Sequence, residues 1–184
     1  MMNSSLKRAV AVAILAGASI GANAATDLGT VSAIAPTGFA GTILGGGKSF
    51  SEIFTFNLSQ PNVSSSYTVQ DVPVTVSSAV TFDSLLSAIS LFSAGADGKV
   101  GGGDDTFLAT GGIPGGDSLT LDYGQSLSGA AYITVNGISN GSSGAIFAGQ
   151  IATVVPEPET YAMLLAGLGL MGAVVRRRST SKTS

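Results

Sequence analysis

The chain has 184 residues, which suggests one domain with terminal segments outside it. It contains no Cys, no His and no Trp, so disulfides, thiolate zinc sites, cysteine nucleophiles, imidazole bases and Ser-His-Asp triads are excluded. Only 10% of residues are charged; between Ala25 and Val155 two bases face nine acids, a net charge of −7 that disfavours nucleic acid as a partner.

At the N-terminus, Lys7 and Arg8 precede an apolar run from Ala9 to Ile20, and Ala22-Asn23-Ala24 supplies small residues before a cut. Basic head, short apolar stretch and small-x-small site form a secretory signal peptide over residues 1–24. Signal peptidase would cleave after Ala24 and leave Ala25 as the new N-terminus. A permanent N-terminal anchor is the alternative, but the run is short for a span and no charge cluster follows it.

Residues 25–155 hold 21 of the 26 glycines, with Ser and Thr in every connection. Period-2 alternation dominates. Phe54, Phe56 and Leu58 share one face of FSEIFTFNL; Val72, Val74 and Val76 alternate in VPVTV; Leu119 and Leu121 alternate in SLTLDY. Leu85 to Phe92 suits a buried strand or one short helix. Tyr132–Val135 and Ala145–Ile151 read as strands, and their connector, Asn136 to Gly144, has the turn formers of a hairpin. About seven to nine short strands with Gly-rich turns predict an all-β antiparallel sandwich or jelly-roll-like body.

Few groups in this body could carry chemistry. Gly45-Gly46-Gly47-Lys48-Ser49 lacks the Walker glycine, with Thr42 in its place. Asp97, Asp104 and Asp105, echoed by Asp117, form the densest carboxylate cluster. Calcium takes six to eight oxygen ligands, so Ca²⁺ is the one cofactor these residues admit. Lys99 breaks the EF-hand pattern, and a solvated acidic loop is the preferred reading. A hydrolytic carboxylate pair from Asp104, Asp105, Asp117 and Asp122 lacks aromatic walls, since the body offers only Tyr67, Tyr123 and Tyr132 as polar aromatics. The lone SxxK, Ser179 to Lys182, lies in the C-terminal tail. The expectation is a non-enzyme with no catalytic residue.

The C-terminus places Pro156-Glu157-Pro158 before an apolar run over about 160–175, then Arg176-Arg177-Arg178 and a polar tail, 179–184. As one helix the run spans roughly 24 Å, short of a hydrocarbon core of ~30 Å, with Tyr161 and the arginines able to reach the two interfaces. Three arginines keep residues 179–184 cytoplasmic, while the signal peptide sends the body outward. A plain tail anchor explains the helix and the arginines. It does not explain Pro-Glu-Pro. Proline fixes φ, removes backbone donors and biases the preceding residue to extended geometry, so this segment should stay extended where an enzyme can grip it.

VPEPETYAMLLAGLGLMGAVVRRR resembles the PEP-CTERM sorting signal of exopolysaccharide-producing Gram-negative bacteria. The resemblance implies recognition of residues 156–178 by an integral-membrane exosortase that cleaves near the motif. It also implies transient anchoring by the helix, then delivery to the cell surface or the exopolysaccharide matrix. The label of ice-binding protein C-terminal domain, sometimes given to this segment, describes a sorting tail. Upstream, Gly47 to Phe56 is similar to the signature of FxDxF-type PEP-CTERM proteins, with Glu52 in the acidic position between Phe50 and Phe54. Phe50 and Phe54 are expected to be core anchors, with Glu52 on the same face at the sheet edge. A carbohydrate- or Ca²⁺-dependent binding module on the same scaffold is the alternative function. Ice or surface binding is a remote third, prompted by 41 Ser plus Thr without regular spacing.

Overall fold

The computed structural model describes residues 25–31, 35–58, 61–112, 116–154 and 164–171. The expected signal peptide with its cleavage residues Ala22 and Ala24 lies outside them, as do Pro156, Glu157, Pro158 and Arg176 to Arg178.

Eleven strands are found among the described residues: β1 Thr26–Thr30, β2 Thr37–Leu44, β3 Ser49–Leu58, β4 Ser64–Asp71, β5 Val74–Ser77, β6 Val80–Phe82, β7 Ser84–Ser93, β8 Thr106–Gly111, β9 Ser118–Tyr123, β10 Gly129–Ser139 and β11 Gly144–Val154. They form two sheets. Sheet A runs β1-β3-β10-β7-β8; sheet B runs β5-β6-β11-β4-β9, with β2 also paired to β11. The body is a sandwich, because each long strand is apolar on one face only and must bury that face against another sheet.

The apolar faces meet in one core. Phe54, Phe56 and Leu58 of β3, Leu86, Ile89 and Leu91 of β7, and Ile133 and Val135 of β10 face Phe39, Tyr67, Val69, Leu119, Leu121, Phe147 and Ile151. Phe54 sits at its centre, 4.7 Å from the Phe39 ring and edge-on to Phe147 at 6.2 Å. Burying an aromatic side chain of this kind contributes about 1.5–3 kcal/mol.

Several elements differ from the sequence expectation. Leu85 to Phe92 resolves as strand β7. Val72 lies beyond the end of β4 and is exposed, and Val76 is 71% exposed in the small β5–β6 hairpin; VPVTV alternates without a buried face. The Asn136–Gly144 connector does not close a hairpin. β10 continues to Ser139 in sheet A, and the chain then crosses to β11 at the centre of sheet B. The pairing is mixed at the margins: β1 runs parallel to β3, and β6 meets β11 in parallel at Gly144.

Residues 164–171 form a helix, α1, whose residues are all exposed. It belongs to a second compact unit, Val155–Ser184, distinct from Met1–Val154. α1 falls within the predicted 160–175 segment. No helix among the described residues is long and apolar enough to cross a membrane.

Candidate functional site

In sheet A the residues between the core positions point outward, and strand register lines them up. Asp27 pairs with Thr55, Thr55 with Tyr132, Tyr132 with Phe92, and Phe92 with Phe107. One row therefore crosses all five strands as carboxylate, hydroxyl, phenol and two phenyl rings. The Phe92 ring stacks on Tyr132 at 4.9 Å and 6°, and meets Phe107 at 5.4 Å and 66°. Phe107 remains 55% exposed. A second row carries Thr134, Ser90 and Thr110, with Ser90 Oγ 3.0 Å from Thr110 Oγ1.

The connector from β7 to β8 folds back along this face. Gly95, Gly98, Gly101 and Gly103 take positive φ there, which L side chains rarely adopt, so the run can turn tightly. Its carboxylates stitch it together. Asp104 Oδ2 accepts from the Ala96 amide at 2.6 Å, Asp97 Oδ1 from the Lys99 amide at 2.9 Å, and Asp105 Oδ2 from the Gly101 amide at 2.6 Å. The Ala96 N–H holds the Asp104 carboxyl below its usual range, against the effect of desolvation.

Asp105 also ties the connector to the sheet, since the Tyr132 hydroxyl donates to Asp105 Oδ2 at 3.0 Å. Burial pushes the Tyr132 phenol up to about 12, and Asp105, as acceptor and as charge, pushes the same way. The second oxygen, Asp105 Oδ1, is buried with no hydrogen-bond partner among the described residues. Beside this tie, over β1, β3 and β10, lies a groove of about 360 Å³ lined by Asp27, Thr30, Thr55, Asn57, Gly98 and Ala130 among others. Asp27 Oδ1 lies 3.5 Å from the Thr55 hydroxyl within it.

The three predicted carboxylates thus share one connector, but their oxygens accept from loop amides and a tyrosine. Among the described residues no three acidic side chains gather in a group that could hold a metal ion. Asp117 and Asp122 belong to the β9 region of sheet B and do not join them. Phe54 is 1% exposed in the core, and Phe50, half-buried, stacks on Phe147 at 5.4 Å. Glu52 pairs in register with Val135 and is half-buried. The glycine-rich turn at Gly45–Ser49 is tied to the end of β10, where Ser139 Oγ accepts from the Lys48 amide at 3.0 Å and donates to the Gly45 carbonyl at 2.7 Å. Phe92, Phe107, Asp27, Thr55 and Asn57 carried no sequence signal of their own. Pairing across strands, invisible in a linear pattern, brings them together.

Among solved structures, the pre-peptidase C-terminal domain of a collagenase from Bacillus anthracis is 12% identical over 72% of this chain and 99% of its own, with a TM-score of 0.40. CorA, a surface-associated copper-binding protein of Methylomicrobium album BG8, is 11% identical over 72% of this chain and 100% of its own, at 0.41. PliG, a periplasmic inhibitor of g-type lysozyme from Aeromonas hydrophila, is 13% identical over 72% and 99%, at 0.37. No curated protein matches the sequence. The family model of the PEP-CTERM protein-sorting motif matches residues 154–178.

Proposed function

We propose that this chain, which carries a PEP-CTERM protein-sorting motif, is a non-enzymatic exported protein processed at both ends. Signal peptidase removes residues 1–24. The 25–155 body crosses the inner membrane, and the apolar 160–175 segment anchors it transiently with Arg176 to Arg178 on the cytoplasmic side. Exosortase then acts on the 156–178 signal, and the body reaches the cell surface or the exopolysaccharide matrix. The observation that carries this reading is the motif match at residues 154–178, which starts where β11 ends at Val154.

Replacing Glu157 with Ala, or both Pro156 and Pro158, should leave a membrane-held precursor, because the extended grip is lost while export is untouched. The same variants should keep the body folded, since all three positions lie beyond Val154, where the last strand of the body ends. Neutralising Arg176 to Arg178 should instead give a secreted chain that keeps its apolar tail, because the cytoplasmic stop is gone. Fractionation with immunoblotting distinguishes the two defects. Release of the Pro-Glu-Pro variants at wild-type mass and yield would sink the sorting role.

A second reading is favoured by one observation: the groove over β1, β3 and β10, with Asp27, Thr30, Thr55 and Asn57 in its lining, offers polar partners that suit a carbohydrate-binding module. A calcium-dependent version has less support, since Asp97, Asp104 and Asp105 each accept from amides of their own loop.

A further inference from the structure

We infer that the end of sheet B where β11 finishes, centred on Val63 and Val154, is a docking surface for the enzyme that cuts the tail. The inference deepens the sorting reading and rests on it.

Chain length comes first. β11 runs through Val154, and only Val155 separates it from Pro156. Two residues reach at most ~7 Å. An enzyme grips an extended peptide over several residues, through backbone bonds and pockets for alternate side chains. On the N-terminal side of the motif that grip therefore runs into the sandwich. β11 yields no further chain without losing structure, because it pairs with both β2 and β4 and the Val154 carbonyl accepts from the Val63 amide at 2.8 Å. An enzyme that closes on Pro156-Glu157-Pro158 must meet the surface beside Val154.

That surface is preformed. The Asn62 amide donates to the Leu127 carbonyl at 3.1 Å, and the Leu127 amide donates to Asn62 Oδ1 at 2.8 Å, with Asn62 itself buried. This clamp fixes the chain entering β4 against the chain leaving β9, so little ordering is left for a partner to impose. Ser65 then pairs with Tyr123 and Ser64 with Val154, which brings three segments together.

Their composition suits a partner in a membrane. Residues 61–66, 123–129 and 151–154 contain no charged side chain, within a body of two bases and nine acids. Val63 and Val154, bonded neighbours, are 45% and 56% exposed. Single exposed valines are ordinary. A pair of them beside the processing motif gives a small apolar centre ringed by serine hydroxyls. An enzyme seated in an anionic lipid surface disfavours approaching carboxylates, so a charge-free patch is the part of an acidic body that fits against it. The β7–β8 connector keeps its carboxylates on sheet A, tied there by Asp105 and Tyr132, and Asp122, opposite Ser66, borders the patch on sheet B.

Pulse-chase labelling of the full chain in cells with active exosortase tests this, reading precursor and mature forms. Val63→Glu puts a charge at the centre of the contact and should slow conversion about tenfold. Val63→Ser, a milder change, should slow it about threefold. Val76→Glu, on the exposed β5–β6 hairpin near the opposite end of β11, should leave the rate unchanged. About ten Gly and Ser residues inserted between Val155 and Pro156 should abolish the difference, because the motif then reaches the enzyme without the body. Unchanged melting of the Val63 variants in detergent shows that folding is intact. Equal conversion of wild type and both Val63 variants at native length would overturn the docking surface and leave the sorting reading in place. Slow conversion that persists with the insertion would do the same. Wild-type conversion that is indifferent to Glu157→Ala would instead remove the sorting reading, and this inference with it.

Discussion

The two most informative single residues titrate outside the usual range. Tyr67 is wholly buried in the core, and desolvation lifts its phenol to about 12; the nearby Ser65 hydroxyl pulls the other way and Tyr123 adds to the rise. Tyr132 reaches about the same value through burial and Asp105. Below the ordinary value of 10.0 both states keep these protons. Between about 10 and about 12 the unfolded chain releases them while the folded chain holds them, so stability should fall as pH rises through that window. Ultraviolet titration of phenolate should show Tyr67 and Tyr132 holding their protons until about pH 12 or until the fold is lost. Reversible ionisation of all tyrosines near pH 10 in a folded protein would contradict the assigned burial. Asp71 gives a second residue-scale prediction. Its Oδ1 accepts from both the N–H and the hydroxyl of Ser84, a residue with no exposure. Desolvation raises the Asp71 carboxyl above its usual range, the Ser84 bonds oppose this, and the Asp83 carboxylate adds to the rise. Asp71→Asn keeps the acceptor and sheds the charge, so denaturant melts should show no loss of stability. Asp71→Ala leaves two buried donors without a partner and should cost about 1–3 kcal/mol.

At the scale of elements, β3 and β10 hold the sandwich together. Phe54→Ala removes the ring on which Phe39 and Phe147 pack and should cost about 3–5 kcal/mol in urea melts. Gly137 in β10 is a sharper probe, because a Cβ there would meet the Leu85 carbonyl and the Phe50 ring, each at 2.7 Å. Gly137→Ala should cost about 1–3 kcal/mol by overpacking, and a Phe50→Leu background should recover part of it. β3 was legible in the sequence because alternation of Phe54, Phe56 and Leu58 reports a face directly. β9 and the middles of β10 and β11 were legible for the same reason. β1, β2 and β8 were not, since short edge strands with Gly, Ala and Thr show little contrast between faces. The supposed hairpin at Asn136–Gly144 misled because turn formers mark a change of direction and do not say which sheet receives the next strand. The row on sheet A was illegible for a related reason: its five members lie between positions 27 and 132, and register alone aligns them.

For the whole molecule, the body and the tail divide the work. The body, through Val154, carries a packed core and an outer face with a built row of side chains. Its last strand, β11, lies at the centre of sheet B between β2 and β4, and the Val154 carbonyl accepts from the Val63 amide at 2.8 Å. A cut on the N-terminal side of Val154 would shorten a central strand and remove its bond to Val63, so the proposed release has to spare it. The most direct test is the mass of the protein recovered from the medium of a strain with active exosortase. The account predicts one species that begins at Ala25, retains Val154 and lacks residues 164–184. A released protein that still carries the apolar run and Arg176 to Arg178, or a full-length chain confined to the inner membrane, would contradict it.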